Sequence, residues 1–230
     1  MTQTEMQSYS QYGEDRAIVE LFGDHVGRFL DIGAWHPTVF SNTRALFERG
    51  WSGVMVEPSP GPFLNLLRAC SSCGDVPLEF YGDRWKTVNC EKCGSGLRYG
   101  TDPRVTLILG AVGVEPCIVR LHATDDALST SDHTNFEKWK GTGGFYGEFM
   151  TPVVTLSQIF NQLGGFDFIN FDAEGCSVEL FVAMLGLGSY PTCVCLEHDG
   201  RSIEVQQLAA RKGYRTVEIN GTNLVLARAA

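Results

Sequence analysis

Short apolar runs alternate with amphipathic stretches along most of this chain. Arg28–Ile32 (RFLDI) and Gly53–Glu57 (GVMVE) read as strands. Between them Ser41, Asn42 and Thr43 offer capping oxygens to a helix that carries Leu46 and Phe47 and stops at Gly50. Upstream, Ile18, Leu21 and Phe22 share one face of a helix over Glu14–Phe22, ended by Gly23. A further helix is expected from Pro60 to about Ala69. The run VTLILGAVG from Val105 suits a strand buried on both faces, and Pro116–Ala123 an added strand. Residues 124–150 read as a polar, glycine-rich loop leading to a short strand at Val153 and Val154. Thr155 and Gln158 then have capping-box spacing ahead of Ile159, Phe160 and Leu163. Next come strand FDFINFD, helix VELFVAML, strand TCVCLEH and helix IEVQQLAARK. Strands YRTVEI and TNLVLAR close the chain around a turn at Asn220 and Gly221. This alternation predicts an α/β fold: one domain over residues 1–230 with a seven-stranded, mostly parallel sheet and a terminal antiparallel hairpin.

The pattern breaks once. Residues 70–100 are rich in Gly and Cys, lack a sustained period, and read as an inserted subdomain. Cys70-Ser-Ser-Cys73-Gly and Cys90-Glu-Lys-Cys93-Gly form two knuckles with sixteen residues between them. Four soft ligands at this spacing favour a closed, tetrahedral structural zinc site. Such a module can shape a pocket, join two copies of the chain or dock another protein.

Composition narrows the class. Hydrophobic residues make up 43% of the 230 positions, enough for a real core. A formal charge of −9, with no basic stripe, argues against a nucleic-acid partner. No apolar run has the length of a membrane span, and the polar, acidic N-terminus is unlike a signal or transit peptide. Eight cysteines without such a signal point to thiols or metal ligands in a reducing compartment, so the expected location is cytoplasmic.

Candidate chemistry sits at the strand ends: Asp31-Ile32-Gly33, Glu57-Pro58, Asp172-Ala173-Glu174 and Glu197-His198-Asp199. In an open parallel sheet, ligands bind where the strands' carboxyl ends meet a switch in strand order. Glu57 suits the two hydroxyls of a ribose, and Gly33 lets a ligand approach the main chain. Asp31 would orient the turn or meet an amino group of the ligand. Ala111 and Val112 are placed to cover a base. After Gly33, however, come Ala34, Trp35, His36 and Pro37, so the glycines of a pyrophosphate cradle are missing. An adenosine without phosphates, as in S-adenosylmethionine, fits better.

The ordered set SQYGEDRAI, FLDIGAWHPTVFSNT, GWSGVMVEPSP, AVG, LST, TL, FINFDAEG and CLEHD resembles the FkbM-type methyltransferase family over nearly the whole chain. The resemblance implies a Rossmann-like class I fold, S-adenosylmethionine as methyl donor, and a hydroxyl of a small molecule or sugar as acceptor. It also places Gln11 and the Gly13-Glu14-Asp15 turn beside the cofactor. The cysteine insertion departs from the family pattern.

A hydroxyl acceptor must lose its proton as the methyl arrives, which calls for a base or a metal. Asp172 is the first candidate. Glu197 and His198, one strand over, could join it in holding Mg²⁺ or Mn²⁺; otherwise His198 is a base or Glu197 orients the substrate. Glu174 reads as a complement to a helix dipole. Two other readings compete: a non-catalytic zinc-knuckle module on a cofactor-binding fold, and a nicotinamide-dependent oxidoreductase. The second lacks both the glycines and any Tyr-x-x-x-Lys.

Overall fold

In a computed structural model of the protein, the residues described are 6–70, 80–81, 84–85, 102–124, 129–131, 133–141 and 144–228. In order, the elements are α1 (Glu14–Phe22), β1 (Arg28–Ile32), α2 (Arg44–Glu48), β2 (Ser52–Glu57) and α3 (Pro60–Ala69). A two-residue pair follows, β3 (Phe80–Tyr81) and β4 (Arg84–Trp85), then β5 (Val105–Leu109), β6 (Ala111–Gly113) and β7 (Cys117–Ala123). Next are α4 (His133–Trp139), β8 (Gly147–Thr155), α5 (Leu156–Leu163), β9 (Phe168–Phe171) and α6 (Ser177–Gly186). The chain closes with β10 (Cys193–Glu197), α7 (Ser202–Arg211), β11 (Tyr214–Ile219) and β12 (Asn223–Arg228).

Seven strands form the main sheet in the order β11-β12-β10-β9-β1-β2-β5. β12 alone runs against the direction of the other six strands, and the order reverses between β1 and β9. The expected α/β sheet with a terminal hairpin is therefore present. Alternation along each strand builds a core on both faces. Leu30, Ile32, Val54, Val56, Ile169 and Phe171 pack on one side, with helices α5 and α6 contributing Ile159 and Phe181. Phe29, Met55, Phe168 and Cys195 face the other side, where Ile18, Leu46, Trp51 and Leu66 cover them. The capping box at Thr155 and Gln158 forms as its spacing predicts.

Two expectations fail around residue 110. The Val105 run is not one doubly buried strand. It breaks at Gly110, and β5 is an edge strand of the described sheet in which only Val105 is buried. Gly110 donates to the Glu57 carbonyl, then the chain leaves the main sheet as β6 to join β8 and β7 in a second, three-stranded sheet. Nor are residues 124–150 simply a loop, since α4 lies within them and β8 begins at Gly147 rather than Val153. The first half of β8 is mostly exposed, which hid its strand character from hydrophobic pattern alone.

Of the four zinc candidates, Cys70 is described. It follows α3 and is buried in the cluster containing Leu66 and Val105, where burial pushes its thiol up. Cys73, Cys90 and Cys93 lie outside the described residues.

Candidate functional site

Register explains why the acids meet. Met55, Asp31, Asn170 and Cys195 stand side by side in one row across β2, β1, β9 and β10. Two residues on, the same face carries Glu57, Gly33, Asp172 and Glu197. The ladder continues past the strand ends, with Gly33 N–H donating to Val56 and Asp172 N–H to Ile32. This row borders a cavity of about 510 Å³ at the carboxyl ends of the strands, beside the switch in strand order. That volume is typical of a small-molecule site.

Gln11, Ile32, Gly33, Glu57, Pro58, Ala111, Val112 and Asp172 all line the cavity. Asp31 does not. It lies one row below, 3% exposed, where Thr43 Oγ1 donates to Oδ2 at 2.5 Å and Asn170 Nδ2 to Oδ1 at 2.9 Å. Of the two roles considered for it, orienting the turn is the one this geometry supports.

Gly33 has an additional duty. Its φ is +78°, and a Cβ there would stand 1.8 Å from the Asp172 carbonyl oxygen. Glycine is thus required first by the close approach of two strand ends.

Glu57 accepts Trp35 N–H at 3.0 Å and Ser59 N–H at 2.7 Å, one on each carboxylate oxygen. Each oxygen keeps a further lone pair for a ligand hydroxyl. Burial pushes its carboxyl up to about 7 despite these donors.

Asp172 faces the water of the cavity while protein surrounds it. Burial, and after it the carboxylates of Glu197 and Glu174, hold its carboxyl well above the usual range. Burial, then Asp199, likewise raises Glu197. Glu174, read from sequence as a dipole complement, joins this group: ligating atoms of Asp172, Glu174 and Glu197 lie within 4.8 Å of one another.

His198 does not take part. Its Nδ1 accepts Gly200 N–H at 3.1 Å, which leaves the proton on Nε2 to bond the Asn220 carbonyl at 3.1 Å. With both nitrogens committed to its own loops and its ring outside the lining, it is neither base nor ligand here. The metal-capable trio is Asp172, Glu174 and Glu197.

Glu14 and Asp15 are brackets rather than contacts. Glu14 accepts from Asn220 and Asn223, tying α1 to the terminal hairpin, and Asp15 accepts from Ser8, Tyr9 and Ser10. These bonds place Gln11 over the cavity.

Sequence reasoning missed the aromatic wall. Trp35 and Phe40 stack at 5.9 Å on the cavity's rim, and Trp139 lines it from α4. Trp35 (φ 38°), Phe40 (φ 55°) and Asp199 (φ 49°) are the described non-glycine residues with positive φ, and all three line the cavity. Such backbone is uncommon outside glycine and gathers at functional sites. Nothing in their residue types announces it. Lys138 also lines the cavity, the one Lys or Arg among the described residues that does.

Compared with known proteins, the chain matches no family model, and no significant match occurs among curated proteins.

Proposed function

We propose that this chain is an S-adenosylmethionine-dependent methyltransferase acting on a hydroxyl of a small molecule or sugar. The observation that carries the reading is the row Glu57–Gly33–Asp172–Glu197 at the switch point, beside a turn with no phosphate-binding glycines. The seven-stranded sheet with its antiparallel β12 is compatible with the Rossmann-like fold that the family resemblance implies. Glu57 would hold the ribose hydroxyls on its remaining lone pairs, with Ile32, Pro58, Ala111 and Val112 walling the adenosine. When bound, the cofactor supplies a methyl group already activated on a sulfonium. The protein's share is alignment and proton removal. Asp172 accepts the acceptor's hydroxyl proton, and burial, which holds its carboxyl well above the usual range, makes it a stronger base than a solvated carboxylate. Trp35, Phe40 and Trp139 offer faces on which a sugar or small ring can lie.

Thermal denaturation tests the assignment. S-adenosylhomocysteine and S-adenosylmethionine should each stabilise the protein by about 2.7 kcal/mol at a hundredfold excess over Kd, and NAD should not. Stabilisation by NAD alone would support the oxidoreductase reading. No response to any of the three would leave the non-catalytic zinc-knuckle module.

The pH dependence of that binding has a definite sign. Glu57 is raised from its ordinary 4.5 to about 7 in the free fold, so its contribution to stability is present at low pH and lost as pH rises through 7. A ribose held by the carboxylate form binds best above 7. The Kd of S-adenosylhomocysteine should rise roughly tenfold per pH unit below that point, and Glu57→Gln should bind weakly with a flat profile. A flat wild-type profile would remove Glu57 from the ribose site.

A second reading of the acceptor side is metal-assisted. The all-oxygen set Asp172, Glu174 and Glu197 fits Mg²⁺ or Mn²⁺ by donor type. Activity abolished by chelation and restored by either ion would establish it.

For the cysteine insertion, elemental analysis should find about one zinc per chain, lost in Cys73→Ser. Metal-free protein would refute the knuckle assignment. A homo-oligomeric or protein-docking role for the insertion remains part of the same proposal, as do a cytoplasmic location and the lack of nucleic-acid partners. No described helix is long and apolar enough to cross a membrane.

A further inference from the structure

The second sheet ends in an open edge. Its order is β6-β8-β7, so β7 has a neighbouring strand on one side. On its other side, the pairing among the described residues is an isolated bridge, in which His122 exchanges both backbone bonds with Thr130. Peptide groups alternate in direction along a strand, and His122 fixes which way they point here. The N–H and C=O groups of Ile118 and Arg120 therefore face outward, while those of Cys117, Val119 and Leu121 pair with β8. Pro116, which has no N–H, closes this open stretch at one end, and the Thr130 bridge closes it at the other. Natural sheets commonly blunt such edges with Lys, Pro or a bulge. Residues 117–121, Cys-Ile-Val-Arg-Leu, carry none of these and keep an unbroken register with β8.

Directly opposite residues of antiparallel strands share a face. Ile118 stands beside Pro152, and Arg120 beside Met150, on the side away from Leu121 and the cavity that it lines. Ile118 and Met150 are each 67% exposed. Helix α4 covers this face further along, where Phe136 stacks on His122. A net charge of −9 sets copies of the chain against one another in general. On this face, however, the two exposed charges are of opposite sign: Arg120 and Glu148 meet at 2.7 Å. Two copies can approach here without bringing like charges together.

We propose that β7 pairs with β7 of a second copy, antiparallel about a two-fold axis at Val119, making the chain a homodimer with one continuous sheet β6-β8-β7-β7-β8-β6. What selects a second copy over an unrelated strand is the symmetry of the open stretch. With the axis at Val119, Ile118 of each copy exchanges two hydrogen bonds with Arg120 of the other, and Val119 faces its own counterpart. All four outward N–H and C=O pairs are then used. Moving the axis by one residue brings in either Pro116, which has no N–H, or His122, whose groups are spent on Thr130. The edge thus specifies its own register. Side chains follow in rows of Pro152 and Ile118 from one copy, then Arg120 and Met150 from the other, with the Arg120 stem lying along Ile118. The pairing depends on neither the cofactor nor the cysteine insertion. It would brace the wall that gives Leu121 and Thr130 to the cavity.

Sedimentation equilibrium over a range of concentrations tests the pairing, with thermal denaturation as the control for folding. The wild type should be a dimer, and Ile118→Pro a folded monomer, because the N–H it removes points away from β8. Two charge variants then read the register. Ile118→Lys sets a cation opposite Arg120 of the other copy and should weaken the dimer about tenfold, whereas Ile118→Glu sets an anion there and should bind more tightly than the Lys variant. That order runs against net charge, which Glu makes more negative and Lys less. Val119 and its counterpart form a non-hydrogen-bonded pair with Cα atoms about 4.5 Å apart, within disulfide range. Oxidised Val119→Cys should therefore give a covalent dimer whose linked peptide is identified by mass spectrometry. A wild type that is monomeric at every concentration overturns the proposal and leaves the edge to a strand from another protein. A dimer that survives Ile118→Pro joins through some other face, the cysteine insertion included, and overturns it equally. Equal weakening by Lys and Glu, with no Val119→Cys crosslink, overturns the two-fold at Val119.

Discussion

Asp172→Asn should slow methyl transfer by about 10²–10⁴-fold, the range for losing a general base, with Kd for S-adenosylhomocysteine nearly unchanged. The same substitution should make the free protein more stable. Asp172 is held above its ordinary range by burial and by Glu197 and Glu174, so its fold contribution is favourable when protonated and lost as pH rises through its folded value. An amide at this position has no charge to lose and keeps the shape. Because the carboxyl faces water within the cavity, solvent screens much of the repulsion, and a gain of about 0.5–1 kcal/mol is expected. For a chain of this size that amounts to a rise of roughly 1–4 °C in Tm, larger at high pH than at low pH. Lower activity together with higher stability would mark a residue kept for chemistry. Loss of both would make Asp172 a structural residue of the β9–α6 turn and move the search for a base to Glu197 or Glu174.

The elements with strong periodicity were readable from sequence. Helix α1, strand β1 and helix α3 have the limits their apolar faces and flanking Gly or Pro residues dictate. The strand-end acids were also readable, because an acid closing an apolar run interrupts a local pattern. Which of them point into the cavity was not, since that depends on register. Asp31 closes β1 as Glu57 closes β2, but it pairs with Met55, one row lower, and so supports the site from below. His198 misleads for another reason. Its residue type suits catalysis, whereas the turn at Gly200 and the hairpin at Asn220 use up both ring nitrogens. Those partners are 2 and 22 residues away, and only the folded hairpin brings the distant one close.

The cavity's far wall was the least legible part. The second sheet and α4 bring Leu121, Lys138 and Trp139 to the site. Helix α4 spans seven residues, too few for a clear period, and the exposed half of β8 has no buried stripe. Long-range packing supplies what the local sequence lacks here: His122 stacks on Phe136 at 3.8 Å, anchoring α4 to β7. The main sheet presents Ile32, Glu57 and the residues that follow its strand ends, β6 of the second sheet adds Ala111 and Val112, and the rest of that sheet with α4 presents a wall that can select the acceptor.

Gly33→Ala should be among the most damaging single methyl additions in the chain, and two other glycines separate its causes. Gly165 has open space around it and no left-handed backbone, so Gly165→Ala should be neutral or stabilise by up to about 1 kcal/mol. Gly13 also has open space but a φ of +95°, so Gly13→Ala should cost about 1–2 kcal/mol from conformation alone. Gly33 combines a φ of +78° with a Cβ position 1.8 Å from the Asp172 carbonyl oxygen and 2.8 Å from its carbon. Relief requires β1 and β9 to part by more than an ångström where the Asp172 N–H to Ile32 hydrogen bond holds them at 3.0 Å, while the Gly33 N–H to Val56 bond, also 3.0 Å, ties β1 to β2 on its other side. Adding an overpacking cost of about 1–3 kcal/mol gives a total of about 2–5 kcal/mol. That is a large share of a typical folding free energy of about 5–15 kcal/mol. Thermal denaturation should place Gly33→Ala roughly 4–20 °C below the wild type, well beyond Gly13→Ala. Any folded fraction should bind S-adenosylhomocysteine weakly, because the shift that accommodates the methyl group moves the Gly33 main chain beside Glu57 in the cavity lining. Equal losses in Gly33→Ala and Gly13→Ala would show that left-handed conformation alone fixes this glycine and that the strand ends yield readily.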